Sequence, residues 1–515
     1  MRAKQRRLWL TTALGVTLAM TTATEAQEPL SAIDWLNDPV TAPGIDADRL
    51  SEPPVSEGAE IPDVAVAPLG QVTNDAVGLL SSKVTGLPAD LWQYSATTSL
   101  IELLRAQEVT ALPSMQALFY TLLLAEAEAP ADSTNSSLLL QGRLDALLEL
   151  GAVEAVQALL DRTGASDKPL FSRWFDATLL TGDEDLACDK LMGAPHLSPS
   201  YAARVFCTAR SGDWNTAALT LATGDALGLV SEQEMALLQL FLDPELFEGD
   251  PLPHPPVRPS PLIFRLREAV GEALPTAPLP RAFAVADLRG TVGWKAKIEA
   301  AERLAQTGAL APNRLLGIYS ERLPAASGGI WDRIDAVQRF DIALKARDAS
   351  AVARTLPKAF TAMQVARLEV PFAKLYAEEL IKLPLTGDAA QLAYHVALLS
   401  PSYETAAQTL GAALPDQAFL TALAKGQPGS VQARSDVERA IVQGFAGLAL
   451  PEVFAPDMAD RRLGEVILRA MLLYQRAIAG EIRELPIALA TFRAVGLEDT
   501  ARQAALQALL LERGF

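Results

Sequence analysis

The side chains best able to do chemistry near neutral pH are scarce in this 515-residue sequence: two cysteines, Cys188 and Cys207, and three histidines, His196, His254 and His395. Reading the local pattern, His196 falls in an interhelical turn, His254 in a proline-rich stretch and His395 within a helix, so no pair has the spacing of metal ligands. The chain has no His-Glu-x2-His, no Gly-x-Ser-x-Gly, no P-loop and no Gly-x-Gly-x2-Gly after a strand, which removes the usual footing for metalloprotease, serine hydrolase, nucleotidase and dinucleotide chemistry. Acids are plentiful, and Asp183-Glu184-Asp185 and Glu378-Glu379 are clustered as a paired-carboxylate site would need. Both clusters sit at helix starts or on polar faces, where Asp183 reads better as a cap. Trp92, Trp174, Trp214, Trp294 and Trp331 have the types to line a sugar groove, but their helical spacing among apolar neighbours marks most of them as core, with about one in five left to a surface. No catalytic residue, cofactor or metal is expected.

The elements that would position these residues come from a repeat. Gly151, Gly182 and Gly212 stand 31 and 30 residues apart, each closing one apolar helical run and opening another. Counting from each glycine, the fifth position is small and apolar (Val156, Ala187, Ala217) and the ninth is leucine (Leu160, Leu191, Leu221), a spacing of four that fits one helical face. Partner helices are expected over 138–150, 169–181 and 200–211. Gly182-Asp183 and Gly212-Asp213 suit a helix end at positive φ followed by an acidic N-cap, and the dipeptide recurs at Gly387-Asp388. A lone hairpin of this size cannot bury its own apolar stripe, so stacked copies are expected. The pattern resembles tetratricopeptide-type and related α-solenoid repeats of bacterial envelope proteins, loosely over 75–515, with repeats shorter than the ~34 residues of that family and without its Trp-x2-Leu-Gly-x2-Tyr signature. It implies an all-α superhelix of antiparallel hairpins. The chain also resembles the superhelical part of soluble lytic transglycosylases, without the Glu-Ser pair and Gly-rich strands of their catalytic domain.

Cys188 and Cys207 fall on neighbouring units, one about five residues before the end of a helix and one about seven residues into the next, which sets them nearly level across an antiparallel pair. An exported chain would join them in a disulfide, and a cytosolic one would keep two buried thiols. The N-terminus favours export. Arg2, Lys4, Arg6 and Arg7 precede the apolar run Leu8 to Met20, and small residues lead to Ala26, so residues 1–26 read as a cleavable secretory signal. No later stretch approaches the ~20 apolar residues of a spanning helix. Cleavage would remove four of the 44 basic residues and one of the 62 acidic ones, leaving 40 against 61, net −21. Such a surface repels phosphate backbones, so nucleic acid is not an expected partner.

Residues 27–72 read as a flexible acidic, proline-rich arm, interrupted by Ile33, Trp35 and Leu36 as a docking motif for a partner or for the protein's own groove. Alanine and leucine dominate thereafter. A helical-repeat lobe is expected over 73–242, a connector over 243–262 where seven prolines forbid continuous helix, and a second helical-repeat lobe over 263–515. Function follows by elimination: a non-catalytic periplasmic scaffold that binds protein partners in cell-envelope or motility-apparatus assembly, or alternatively a protein that binds or processes peptidoglycan or another glycan.

Overall fold

The computed structural model describes residues 73–134, 136–247 and 254–511, and all their regular structure is helical apart from one isolated β-bridge between Leu80 and Ala125. The expected signal, the acidic arm and its Ile33/Trp35/Leu36 motif lie outside the described residues.

The described chain opens with α1 (Ser82–Thr85), α2 (Thr97–Arg105) and α3 (Pro113–Leu124). Before α1 the chain makes a single 3-10 turn, Asn74–Ala76, followed by extended backbone whose amides at Leu79 and Leu80 bond to Leu124 O at 2.8 and 3.0 Å. The reason is Arg143. It is fully buried, and its guanidinium donates to the carbonyls of Leu123, Ala125, Asp75 and Val77, so the segment's own carbonyls are taken up by a side chain from another element.

The repeat follows as three hairpins: α4 and α5 (Leu138–Leu150, Val153–Thr163), α6 and α7 (Lys168–Thr181, Glu184–Gly193), α8 and α9 (Tyr201–Arg210, Trp214–Ala226). Gly151, Gly182 and Gly212 have φ of +84°, +95° and +89°, the left-handed turn that lets each helix stop and reverse without a Cβ penalty. Asp213 caps α9, accepting from Thr216 N at 3.1 Å. Asp183 occupies the N-cap position of α7 but makes no capping bond; its carboxylate accepts from Gln157 and Thr181 instead. The periodic positions all point inward: Val156, Ala187 and Ala217 are 0% exposed, and Leu160, Leu191 and Leu221 no more than 6%. A leucine so placed contributes roughly 1.5–3 kcal/mol by burial, which is what stacking gains over a lone hairpin.

Cys188 on α7 and Cys207 on α8 form a disulfide, Sγ–Sγ 2.03 Å and Cα–Cα 4.9 Å, in the middle of this stack. Both are buried in the core. Replacing both by alanine is expected to lower unfolding free energy by about 3 kcal/mol, because the cross-link restricts the unfolded chain. Denaturant titrations of the variant and of the reduced parent check this; matched midpoints for oxidised and reduced parent would refute it.

α10 (Glu232–Leu242) is capped by a reciprocal Ser231–Glu234 pair and precedes the proline-rich stretch, after which α11 (Pro261–Ala269) begins. The expected connector therefore separates two helices, but α10 and α11 pack against each other, and α11 against α6. All the described residues fall in one compact unit, with a core cluster that runs from Leu87 to Leu511. Prolines at 243–262 thus interrupt the helix without interrupting the packing.

After α11 comes a 3-10 segment, Arg281–Leu288. It is followed by α12 (Trp294–Ala305), α13 (Pro312–Tyr319), α14 (Ile330–Lys345), α15 (Ala349–Val365), α16 (Glu369–Ile381), α17 (Gly387–Leu398), α18 (Tyr403–Thr409) and α19 (Ala418–Ala424). Gly387-Asp388 does not close a helix here; Gly387 opens α17, with Thr386 at the cap. The chain ends with α20 (Asp436–Gly444), α21 (Ala455–Ala459), α22 (Leu463–Ile478), α23 (Leu485–Ala494) and α24 (Glu498–Leu510).

The stack then closes on itself. α2 packs on α22, and α3 on α24. Gln507 from α24 caps α3 by accepting from Ser114 N at 2.8 Å, and Gln107 donates to Leu468 O at 3.1 Å. Gly464 N donates to Leu91 O at 3.2 Å, while Arg461 pairs with Asp90 at 2.7 Å and lies over the Tyr94 ring at 4.2 Å. The first helices are therefore held by the last.

Candidate functional site

Among the described residues three clefts meet on one helix, α15. Asp348 caps it, accepting from Ala351 N at 2.9 Å, and its buried stripe of Val352, Leu356, Ala359, Phe360 and Met363 follows the three- and four-residue steps of a core-facing helix. The opposite face is open to solvent and presents Arg354, Pro357, Lys358, Thr361, Gln364 and Val365. Pro357 lies inside the helix, where it removes the amide that would bond to Ala353 O. The helix ends with Arg367 at φ +55°, a left-handed position usually given to glycine, which costs on the order of 1 kcal/mol and leaves the arginine exposed.

A cleft of 590 Å³ lies at the closure, between the C-terminal end of α15, the start of α3 and the end of α22; Glu108, Leu112, Gln364, Arg367, Glu369 and Gln475 are among its walls. A second, of 830 Å³, runs between α14 and α15 and is lined by Arg339, Ala336, Pro357, Lys358 and Val365. The third, of 240 Å³, is bounded by Gln364, His395, Leu399 and Leu509. Thr361 lines all three.

The acids singled out by sequence are elsewhere and engaged. Glu184 is 2% exposed and pairs with Arg265 at 2.5 Å and Arg210 at 3.3 Å; Asp185 pairs with Arg210 at 2.7 Å. Burial alone would lower the Arg265 guanidinium, but the bond and charge of Glu184, with Glu268 beside it, hold it above its ordinary value. Burial would raise Glu268, and Arg289 and Arg265 outweigh it and hold the carboxyl low. These charges join the repeated hairpins to α11 and the 3-10 segment. Glu379 pairs with Lys382 at 2.6 Å and Arg347 at 3.8 Å, while Glu378 is exposed.

His196 sits in the 3-10 turn Pro195–Leu197, and His254 is exposed. His395 faces Gln417 with Nε2 2.9 Å from Oε1, at the edge of the third cleft, so the three histidines stand on separate elements. Among the described residues no group of three or more His, Cys, Asp and Glu could hold a metal ion. Trp92 and Trp174 are buried, Trp294 and Trp331 pack together with ring centroids 5.2 Å apart and are partly covered, and Trp214 alone of the five is exposed, at 48%.

Sequence reading missed three features. The α15 ridge carries no motif and depends on what folds around it. The buried triad in which Tyr319 Oη donates to Glu302 at 2.5 Å and Arg333 grips the same carboxylate at 2.7 and 2.8 Å fastens α12, α13 and α14 behind the second cleft; burial and Glu302 together push the Tyr319 hydroxyl well up. Asp176 on α6 is the third: burial lifts its carboxyl to about 7, with Arg173 opposing. A carboxyl raised in the folded state binds a proton that the unfolded chain has already lost, so stability is expected to fall as pH rises from about 4 to about 7. Asp176→Asn should flatten that slope and raise stability above pH 7. Denaturant midpoints across pH 4–8 check it, and an unchanged slope in the variant would refute it.

No known protein family matches the chain, and no curated protein or solved structure matches it significantly. No helix among the described residues is long and apolar enough to cross a membrane.

Proposed function

We propose that the chain is an exported, non-catalytic helical-repeat scaffold of the periplasm that holds a protein partner in cell-envelope or motility-apparatus assembly. The observation that carries this reading is the convergence of three open clefts on the exposed face of α15. A long helix flanked by grooves offers contact area and little acid-base machinery, and the acidic clusters nearest in type to a catalytic pair are occupied by arginines or lie on the polar surface. The Cys188–Cys207 disulfide supports an oxidising compartment.

A second reading, a protein that binds or processes peptidoglycan, draws on Trp214 of the last repeated hairpin, whose exposed ring stands 5.9 Å from Phe241 of α10 and has the form of a sugar-stacking platform. Incubation with purified sacculi separates the two. The scaffold reading expects the protein to stay in the supernatant with no muropeptide released; co-sedimentation with turnover, lost in Trp214→Ala, would replace it with the second.

A further inference from the structure

The chemistry of the partner can be read from the charge on α15. The chain carries 62 acidic and 44 basic residues, net −18, yet the 17 residues of α15 include Arg354, Lys358 and no acid. Over 330–368 there are seven basic and four acidic residues, net +3, so the remainder of the chain is net −21. Among the described residues, Arg354, Lys358 and Arg367 have no carboxylate within ion-pair distance; the only side-chain bond of the three is from Arg354 to Ser350 Oγ at 2.7 Å. Lys358 lines the α14–α15 cleft and Arg354 stands one helical turn before it; the other charges of the cleft are engaged internally, Arg339 with Asp335 at 2.7 Å, Arg333 with the buried Glu302, and Asp332 accepting from Gly328 N. Its apolar wall of Ala336, Pro357, Ala362 and Val365 is left uncovered, with Val365 78% exposed and Ile342 on the same α14 stripe as Arg339 65% exposed.

A basic ridge beside an apolar slot, in a strongly acidic protein, selects by complementarity. We infer that the α14–α15 cleft binds an acidic amphipathic segment of a partner protein, its carboxylates meeting Arg354 and Lys358 and an apolar side chain entering between Ala336, Pro357 and Val365. This rests on the scaffold reading and names the class of segment the scaffold holds. The neighbouring cleft at the closure sets Glu108 and Glu369 against Arg367, whereas this slot sets Arg333, Arg339 and Lys358 against Asp332 and Asp335, which is why the slot and not that cleft takes the acidic segment.

The test uses the full chain and two labelled helical peptides of about four turns, with one apolar face in common and either glutamate or lysine on the other. Fluorescence anisotropy is expected to show the glutamate peptide binding, weakening as salt rises, and losing about tenfold in affinity to R354E/K358E. Val365→Asp, also at an exposed position, should weaken it by a similar factor, and unchanged melting temperatures will show that both variants fold. Equal binding of the lysine peptide, no binding of either, undiminished affinity in both variants, or displacement of the peptide by soluble glycan strands would overturn the proposal. If these fail while sacculi neither bind nor are cleaved, the partner chemistry is wrong and the scaffold reading stands; if sacculi are bound and cleaved, that reading itself falls.

Discussion

Arg143→Leu is expected to lower the unfolding free energy by about 3–5 kcal/mol, the range for removing one side of a buried charged network. The guanidinium is wholly inside the protein and gives its donors to four backbone carbonyls from two segments, three of them at 2.8 or 2.9 Å. Burial pushes its pKa down to about 10, with Asp75 opposing, so it remains charged at neutral pH. Asp75, also 0% exposed, accepts from Leu140 N at 2.7 Å and from the Ser133 hydroxyl. Leucine fills the volume, but leaves four acceptors dry and a buried carboxylate without its counter-charge. Lysine keeps the charge and loses the planar fork, so Arg143→Lys should recover only part. Urea denaturation measures both, and a loss below about 1 kcal/mol for the leucine variant would mean that 73–80 is not anchored this way.

The second large effect concerns the closure. A Cβ built on Gly464 would stand 2.5 Å from the Trp92 ring and 2.8 Å from Leu91 O, and the neighbour in the way is a 1%-exposed core tryptophan with no room to retreat. Gly464→Ala should therefore cost about 1–3 kcal/mol and Gly464→Leu more. Trp92→Ala alone should cost roughly 3–5 kcal/mol by leaving a cavity. The two should be strongly non-additive, since removing the ring makes space for the new side chain. Hydrogen exchange locates the effect: faster exchange at Leu91 to Ser95 and along α22, with α6 to α8 unchanged, is the expected pattern. Additive losses would show that Trp92 and Gly464 do not share a contact.

These two sites mark the limit of what the sequence reveals. The repeated hairpins were legible because a glycine at the turn, a small residue five positions later and a leucine four beyond that are local signals, and Leu160, Leu191 and Leu221 face the core as their spacing requires. The disulfide was legible as one of two alternatives, since the helix lengths set Cys188 and Cys207 level. Closure was not legible: Gly464 and Trp92, or Gln507 and Ser114, are nearly 400 residues apart and neither partner signals the other. Arg143 looks like an ordinary polar position of an amphipathic helix until the carbonyls around it are known. The ridge on α15 was hidden similarly, because exposed arginine, lysine and threonine on a helix are unremarkable until the flanking grooves are in place. α10 ends at Leu242, just before the prolines begin, but nothing in their pattern reveals that α10 and α11 pack together.

The central claim is that the exposed face of α15 is the working surface. A photo-crosslinking residue placed at Thr361, where all three clefts meet, and at Leu448, exposed on another part of the surface, tests it in the protein's native envelope. Adducts at 361 that resolve to an acidic protein segment, absent at 448, are the expected result. Equal adducts at both positions, or adducts at 361 that consist of glycan, would contradict it.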